Sequence, residues 1–422
     1  MNKFIGYKCS LCGKEYQPQD VTYTCPADGG NLDVVLDFGS LATEKIFKQI
    51  LNSDDHSIWR YLPLIPVENT VGNQTPMQFV GGTPIFSHPE AQKFGVSELL
   101  IKDESRNPTA SFKDRASAVV VTRAREIGSD VVVTASTGNA GAALAGISAA
   151  VGQRSIIFAP KTAPSAKIAQ LLVFGSRVIL VDGTYDNAFD LSVEAANEFG
   201  WYCRNTGYNP FTVEGKKTAA FEVWEYFLQR RAVTGGHERV VNMDHVDIVV
   251  SVGDGNIISG IHKGFKDLFA LGWINKVPRI LGIQSENSAA IANAFDAKTE
   301  TITPVRATTI ADSISVDLPR DGVRAVRAAT QTGGAYLQVA DAEIVAAIAL
   351  LGKHGIFCEP AGATAYAGFL KGQRQGLFTA NSKVVVFNTG SGLKDINTAM
   401  KSVTAAPIIE PTMKNLKELL SA

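Results

Sequence analysis

Asn107-Pro108-Thr109-Ala110-Ser111-Phe112-Lys113-Asp114-Arg115 follows the apolar run Leu99-Leu100-Ile101 and opens a long helix-forming segment. The pattern predicts strand, turn and helix: 98–102 as a buried strand, Asn107-Pro108 as the turn, Ser111 as N-cap and 116–126 as helix. Lys113 then stands in the first helical turn, where its cation meets the positive end of the helix dipole. Such a place lowers an amine's pKa, and a neutral amine is what condenses with an aldehyde cofactor to form a Schiff base. A solvated lysine beside Asp114 and Arg115 is the plain alternative, and the other motifs of the chain decide between the two.

Three downstream segments repeat one design, a β-branched apolar run ending in a glycine-rich turn. Val131-Val132-Val133-Thr134-Ala135 leads to Ser136-Thr137-Gly138-Asn139, Ile248-Val249-Val250-Ser251-Val252 leads to Gly253-Asp254-Gly255-Asn256, and Val384-Val385-Val386-Phe387-Asn388 leads to Thr389-Gly390-Ser391-Gly392. Between the first two, strand 155–159, helix 166–174, strand 177–181 and helix 187–198 read as βαβ units, which imply a parallel sheet with right-handed crossovers. Helix-start N–H groups after such turns bind anions.

With these four ordered motifs the chain resembles the threonine synthase family within the tryptophan-synthase-β-like, fold type II pyridoxal-phosphate enzymes, over roughly residues 9–395. The likeness extends to Val80-Gly81-Gly82-Thr83-Pro84, to Asn209-Pro210-Phe211-Thr212-Val213-Glu214-Gly215-Lys216-Lys217-Thr218 and to the stretch from Gly355 to Thr364. It implies an α/β fold of two doubly wound parallel-sheet domains with a small zinc-ribbon-like element at the N-terminus. The divisions expected are 1–36 for that element, 37–120 for an arm and the first part of the large domain, 121–235 for a smaller mobile domain, and 236–422 for the rest.

The resemblance also assigns roles. Pyridoxal 5'-phosphate attaches to Lys113, and Asn139 bonds its phenolic oxygen. Ser136, Thr137 and Gly138 hold the substrate carboxylate. Gly253, Asp254, Gly255, Asn256 and Ile257 cradle the cofactor phosphate, with Asp254 unusual there unless it turns outward to cap the helix. Thr389, with Ser391 second, offers a hydroxyl to the pyridine nitrogen, which favours elimination and replacement over transamination.

Ala140 and Thr212 stand where the resemblance implies a hydroxyl and an arginine that grip the phosphate of O-phosphohomoserine. Losing a charge-assisted arginine costs about 2 to 4 kcal/mol of binding, and Arg204, Lys216 or Arg320 are the candidates to replace it. Threonine formation from O-phosphohomoserine and water is thus the nearest activity. β-Replacement on O-phosphoserine, as in cysteate synthase, and dehydration of threonine or serine stand beside it. A catalytically silent homologue need not retain Lys113, Asn139 and Thr389.

Near the N-terminus, Cys9-x-x-Cys12-Gly13 is followed by Cys25-Pro26-Ala27-Asp28. A four-cysteine zinc ribbon places its last thiolate where Asp28 stands. The alternatives are a zinc ion on Cys9, Cys12 and Cys25, or a metal-free ribbon held by Tyr7, Tyr16 and Tyr23. Cys358, in an apolar segment, reads as a core residue, and His262 and Lys263 as structural or solvated.

Bulk properties narrow the partners. Of 422 residues, 45% are hydrophobic and 19% charged, enough apolar content for large cores. Forty basic against forty-one acidic side chains leave no field to draw nucleic acid or an anionic membrane. The amino terminus lacks an apolar signal core, no stretch approaches the roughly 20 apolar residues of a membrane span, and the five cysteines are an odd count. A cytoplasmic protein acting on a small amino acid is expected, with a homodimer by analogy with the family.

Overall fold

Runs of valine and isoleucine without polar alternation suit strands covered on both faces, and here they form the interiors of two parallel sheets. The computed structural model describes residues 3–68, 72–163, 165–233 and 239–421. Its strands are β1 (Phe4–Cys9), β2 (Glu15–Tyr16), β3 (Leu32–Leu36), β4 (Ile85–Ser87), β5 (Glu98–Asp103), β6 (Val131–Ala135), β7 (Arg154–Pro160), β8 (Arg177–Val181), β9 (Tyr202–Cys203), β10 (Val246–Ser251), β11 (Arg279–Ser285), β12 (Ala335–Val339) and β13 (Lys383–Asn388). Six make one sheet in the order β12-β11-β10-β13-β5-β4, parallel except for β4. Four make a second, all-parallel sheet in the order β8-β7-β6-β9. Strands β1, β2 and β3 form a small antiparallel sheet of their own.

In both parallel sheets the chain reverses its winding at a strand that carries a motif, and ligands bind outside the carboxyl ends of strands at such points. Strand β10 lies between β11 and β13, so the turns that follow β10 and β13 open on the same edge as the segment after β5. Every residue of β6 and β10 is buried. Small residues let the helix Asn139–Ala150 sit close on its sheet: Gly141, Ala142, Ala143 and Ala145 are all buried.

The lysine segment is anchored by charge rather than by apolar packing alone. Arg115, fully buried, donates to both oxygens of Glu104 at 2.7 and 2.8 Å and to both oxygens of Glu222 at 2.6 and 2.7 Å. Lys102 joins at 2.5 Å from Glu222, and Thr83 donates to Glu104 at 2.7 Å. Buried ions are tolerated only when paired and hydrogen-bonded in this way. The network ties β5 and the helix Lys113–Glu126 to the helix Thr218–Val233.

The structure corrects two expectations and adds two edge strands. Ser111 is not an N-cap: the helix begins at Lys113, Phe112 occupies the cap position without a side-chain bond, and the Ser111 hydroxyl has no partner among the described residues. Asp114 serves the turn instead, accepting from the Thr109 N–H at 2.6 Å and from the Thr109 hydroxyl. Asp254 does not cap the helix Asn256–Ala270; its carboxylate is buried and accepts from the backbone N–H of Arg320 at 2.7 Å. Strands β4 and β12 add edges to the large sheet where the sequence carries no comparable apolar run. His262 and Cys358 are buried, and Lys263 pairs with Asp267 at 2.6 Å, as expected of structural residues.

Candidate active site

One cavity of about 500 Å³ gathers the expected residues from four separate segments. Lys113, Ser136, Thr137, Gly138 and Asn139 line it on one side, the turn Gly253, Asp254, Gly255, Asn256 and Ile257 on another, and Thr389 on a third. Ser391 does not line it; that hydroxyl accepts from the Leu393 N–H at 3.3 Å. The cysteines at 9, 12 and 25 lie in the separate antiparallel sheet and its turns.

Lys113 emerges from a turn held under strain. Ala110 adopts φ +62°, a left-handed conformation that costs a residue bearing a Cβ on the order of 1 kcal/mol. It is locked by its own N–H to the Asn107 carbonyl at 2.8 Å, while its carbonyl accepts from Ser391 at 3.1 Å. Lys113 makes no ion pair with a described residue. Burial lowers its pKa to about 8, and the nearby Arg204 charge adds to the shift. The expected direction holds, but the first cause is burial rather than the helix end.

Two carboxyls nearby are pushed the opposite way. Burial raises Glu359 to about 7, although it accepts from the Asn139 amide at 2.8 Å. Burial likewise raises Asp254 to about 7, with the Asp321 charge adding to it; one Asp254 oxygen has no partner among the described residues. Both are therefore poised to gain or lose a proton near neutrality. The sequence named Asp254 as an oddity and passed over Glu359 within the stretch from Gly355 to Thr364, because apolar surroundings are a tertiary property.

The turn after β10 is shaped for close approach. Gly255 has φ +90°, and a Cβ there would lie 2.6 Å from the Asp321 carbonyl oxygen. The N–H groups of the following first turn have no intrahelical acceptors, which suits an anion. Asn256 heads that helix. Its amide donates to Asp321 at 2.7 Å, and its carbonyl oxygen accepts from Thr212 at 3.2 Å and from Lys216. Arg204 is fully buried, donating to Ser117 at 3.2 Å and Thr206 at 2.6 Å, while its third nitrogen is without a partner among the described residues.

A family model described as pyridoxal-phosphate dependent enzyme matches residues 76–390. A threonine synthase of Methanocaldococcus jannaschii is 36% identical over 418 residues, covering 98% of each chain, and one of Methanosarcina acetivorans is 34% identical over 424 residues, again covering 98% of each. The chain belongs to the threonine synthase family. Membership makes it a pyridoxal-phosphate-dependent lyase. Among solved structures it is similar to maize serine racemase, with TM-score 0.64 and 23% identity covering 76% of this chain and 91% of that one. It is also similar to the processed form of threonine deaminase isoform 2 of Solanum lycopersicum, with TM-score 0.63 and 20% identity covering 80% and 92%. At those identities the likeness speaks for the fold.

The residues present fit the family's cofactor. An amine of pKa about 8 unpaired among the described residues, a glycine turn that leaves room beside a helix start, and a buried Arg204 nitrogen without a partner among the described residues are what an aldehyde bearing a phosphate would satisfy.

Proposed function

We propose that the chain converts O-phosphohomoserine and water to threonine and phosphate. The observation that carries this reading is one cavity that joins the Lys113 amine to the glycine turn 253–257 at a helix start, with the buried side chains of Lys216 and Arg204 close to Lys113 and without ion pairs among the described residues. A helix start backed by basic groups suits phosphorylated ligands despite Ala140 and Thr212.

Pyridoxal phosphate, when bound, supplies an aldehyde for amines and a ring that delocalises charge left at the substrate α-carbon. Lys113 would hold it and, as an amine, take and return the proton at that carbon. Gly253, Asp254, Gly255, Asn256 and Ile257 would hold its phosphate, Asn139 its phenolic oxygen, and Thr389 its ring nitrogen. Ser136, Thr137 and Gly138, at the start of the helix Asn139–Ala150, would orient the substrate carboxylate. Glu359, titrating at about 7 beside Asn139, is placed to hold a proton for the departing or entering oxygen. Within the expected range 121–235, the sheet β8-β7-β6-β9 with its helices would move as a unit that shuts out water, while the helix Thr218–Val233 stays with β5 through Glu222. Arg320 with Asp186 at 2.9 Å, and Lys167 with Asp312, are the contacts that would break and re-form.

Purified protein supplied with O-phosphohomoserine is expected to release phosphate and form threonine, identified by mass. Phosphate release from O-phosphoserine alone would replace this reading with β-replacement. Keto-acid formation from threonine without phosphate release would replace it with a dehydratase.

At the N-terminal sheet we propose a zinc ion. Cys9, Cys12, Cys25 and Asp28 each offer a ligand atom, all within 4.8 Å of one another. The Cys12 and Cys25 sulfurs are 3.8 Å apart, and Cys9 Sγ lies 3.3 Å from an Asp28 oxygen. Zn–S bonds of about 2.3 Å in a tetrahedron place sulfurs about 3.8 Å apart, and a sulfur and an oxygen about 3.5 Å apart. Tyr16 at 3.0 Å from Cys25 and the Leu11 N–H at 3.3 Å from Cys9 supply the outer hydrogen bonds such sites use. One zinc per chain by elemental analysis, lost in Asp28→Ala with Cys12→Ser, is expected; a metal-free wild type would refute it. No helix among the described residues is long and apolar enough to cross a membrane. Cytoplasmic residence and a homodimer complete the proposal, the latter checked by light scattering.

A further inference from the structure

We infer that Lys216 is a phosphate-binding cation, held ready at the turn after β10 by Asn256. The inference builds on the proposed function and adds a residue to it. The shared ligand chemistry is a phosphate monoester dianion, carried by the cofactor or by the substrate.

Lys216 ends the short helix Phe211–Lys216 and is fully buried. Its neighbour across the interface is Gly260 on the helix Asn256–Ala270, where a Cβ would lie 2.6 Å from the Lys216 Cβ. That close approach lets the lysine run along the helix toward its N-terminal turn. There its ammonium meets the Asn256 side-chain oxygen, which Thr212, one turn earlier on the same helix, also approaches at 3.2 Å. Among the described residues it forms no ion pair.

The acidic groups around it are already committed. Asp321 is gripped by Arg324 through bonds of 2.6 and 2.8 Å and also accepts from Asn256. Arg324 in turn reaches Asp33 at 2.9 Å. Asp254 accepts from the Arg320 N–H and, raised to about 7, is only partly charged at neutral pH. Glu359 is raised to about 7 as well and is bonded to Asn139. Lys216 thus stands behind the cavity, reaching it through Asn256, which lines it, with Lys113, Arg204 and Asp254 as charged neighbours. Uncompensated buried cations are costly, and a dianion at the helix start removes that cost. Burial, with the Lys113 charge adding to it, lowers the pKa of Lys216, and an incoming dianion draws a proton back onto the amine; with Lys113 reserved for the aldehyde, Lys216 and Arg204 then match the two charges of a phosphate. A neutral amide is a suitable temporary partner, because Asn256 holds the ammonium in position without cancelling its charge.

The test uses wild type, Lys216→Gln, Lys216→Met and Lys216→Arg, with far-UV circular dichroism and melting temperature reporting folding. Equilibrium binding is measured for pyridoxal phosphate and for pyridoxal, which lacks the phosphate. The KM for O-phosphohomoserine is measured at saturating cofactor. If the ligand is the cofactor's phosphate, Gln and Met weaken pyridoxal phosphate binding about 10- to 100-fold. They leave pyridoxal binding within about twofold, and Arg restores most of the loss. If it is the substrate's phosphate, cofactor binding is unchanged and the KM rises by a similar factor. Unchanged values in both arms overturn the inference.

Inorganic phosphate provides an arm that does not need turnover. It is expected to raise the melting temperature of the cofactor-free wild type and not of Lys216→Gln. Should O-phosphohomoserine prove not to be a substrate, that difference still supports Lys216, so the inference and the proposed reaction fail separately. Equal stabilisation of both proteins overturns it.

Discussion

The amine at Lys113 should be reactive near neutral pH, and the rate at which the cofactor-free protein takes up pyridoxal phosphate measures this. With a pKa of about 8, about a quarter of Lys113 is neutral at pH 7.5, against about one part in a thousand for an ordinary lysine near 10.5. Uptake at this site should therefore outpace that of a solvated lysine by about two orders of magnitude. The sign follows from the depressed pKa: the reactive neutral form accumulates as pH rises, so the rate climbs about tenfold per unit between pH 6 and 7 and levels off above about 8. Arg204→Met removes the second contributor to the shift and should raise the apparent pKa by about half a unit to one unit, slowing uptake at pH 7 about three- to tenfold. Stopped-flow absorbance on cofactor-free wild type, Arg204→Met and Lys113→Arg would follow this. A wild-type inflection near 10.5, a rate flat from pH 6 to 9, or rapid uptake by Lys113→Arg would refute the reasoning.

Arg115→Ala would leave Glu104 and Glu222 buried with only Lys102 between them, and should cost about 3 to 5 kcal/mol in urea unfolding; a loss under 1 kcal/mol would mean the network is not a clamp. Asp254 ionises near pH 7, next to where the phosphate is expected, so wild-type affinity for pyridoxal phosphate relative to Asp254→Asn should fall as pH passes upward through about 7; parallel profiles for the two proteins would count against it. Gly255→Ala brings a Cβ to 2.6 Å from the Asp321 carbonyl at φ +90°, and should cost about 1 to 3 kcal/mol of stability and weaken cofactor retention on dialysis; an unchanged melting temperature would argue that the turn is not strained. Stripping metal with a chelator should lower the melting temperature of the N-terminal sheet without bleaching the bound cofactor, since Cys9, Cys12 and Cys25 lie outside the cavity.

Much of the fold was legible because its strands are buried on both faces. The predicted strand at 177–181 is β8, and the helix expected over 187–198 lies within Tyr185–Phe199. The edge strands β4 and β12 were not legible, because an edge needs no continuous apolar run and its pairing is decided by the neighbour it joins. The N-cap assigned to Ser111 failed for a related reason: an antiparallel bridge to Gly390 fixes that residue's backbone, so the helix starts two residues later.

Taken alone, the sequence determined the α/β class, the family and the order of the ligand-binding turns, since periodicity and glycine placement are local properties of the chain. It also singled out Lys113, Asn139, the turn from Gly253 to Ile257 and Thr389, which the structure brings to one cavity. Only the tertiary structure decided the charge state of that cavity. Burial sets the shifts of Lys113, Asp254 and Glu359, and Asn256 receives Lys216 because residues 40 positions apart in the chain converge there. Desolvation and pairing depend on what surrounds a group in space, and no spacing of residues along the chain encodes that.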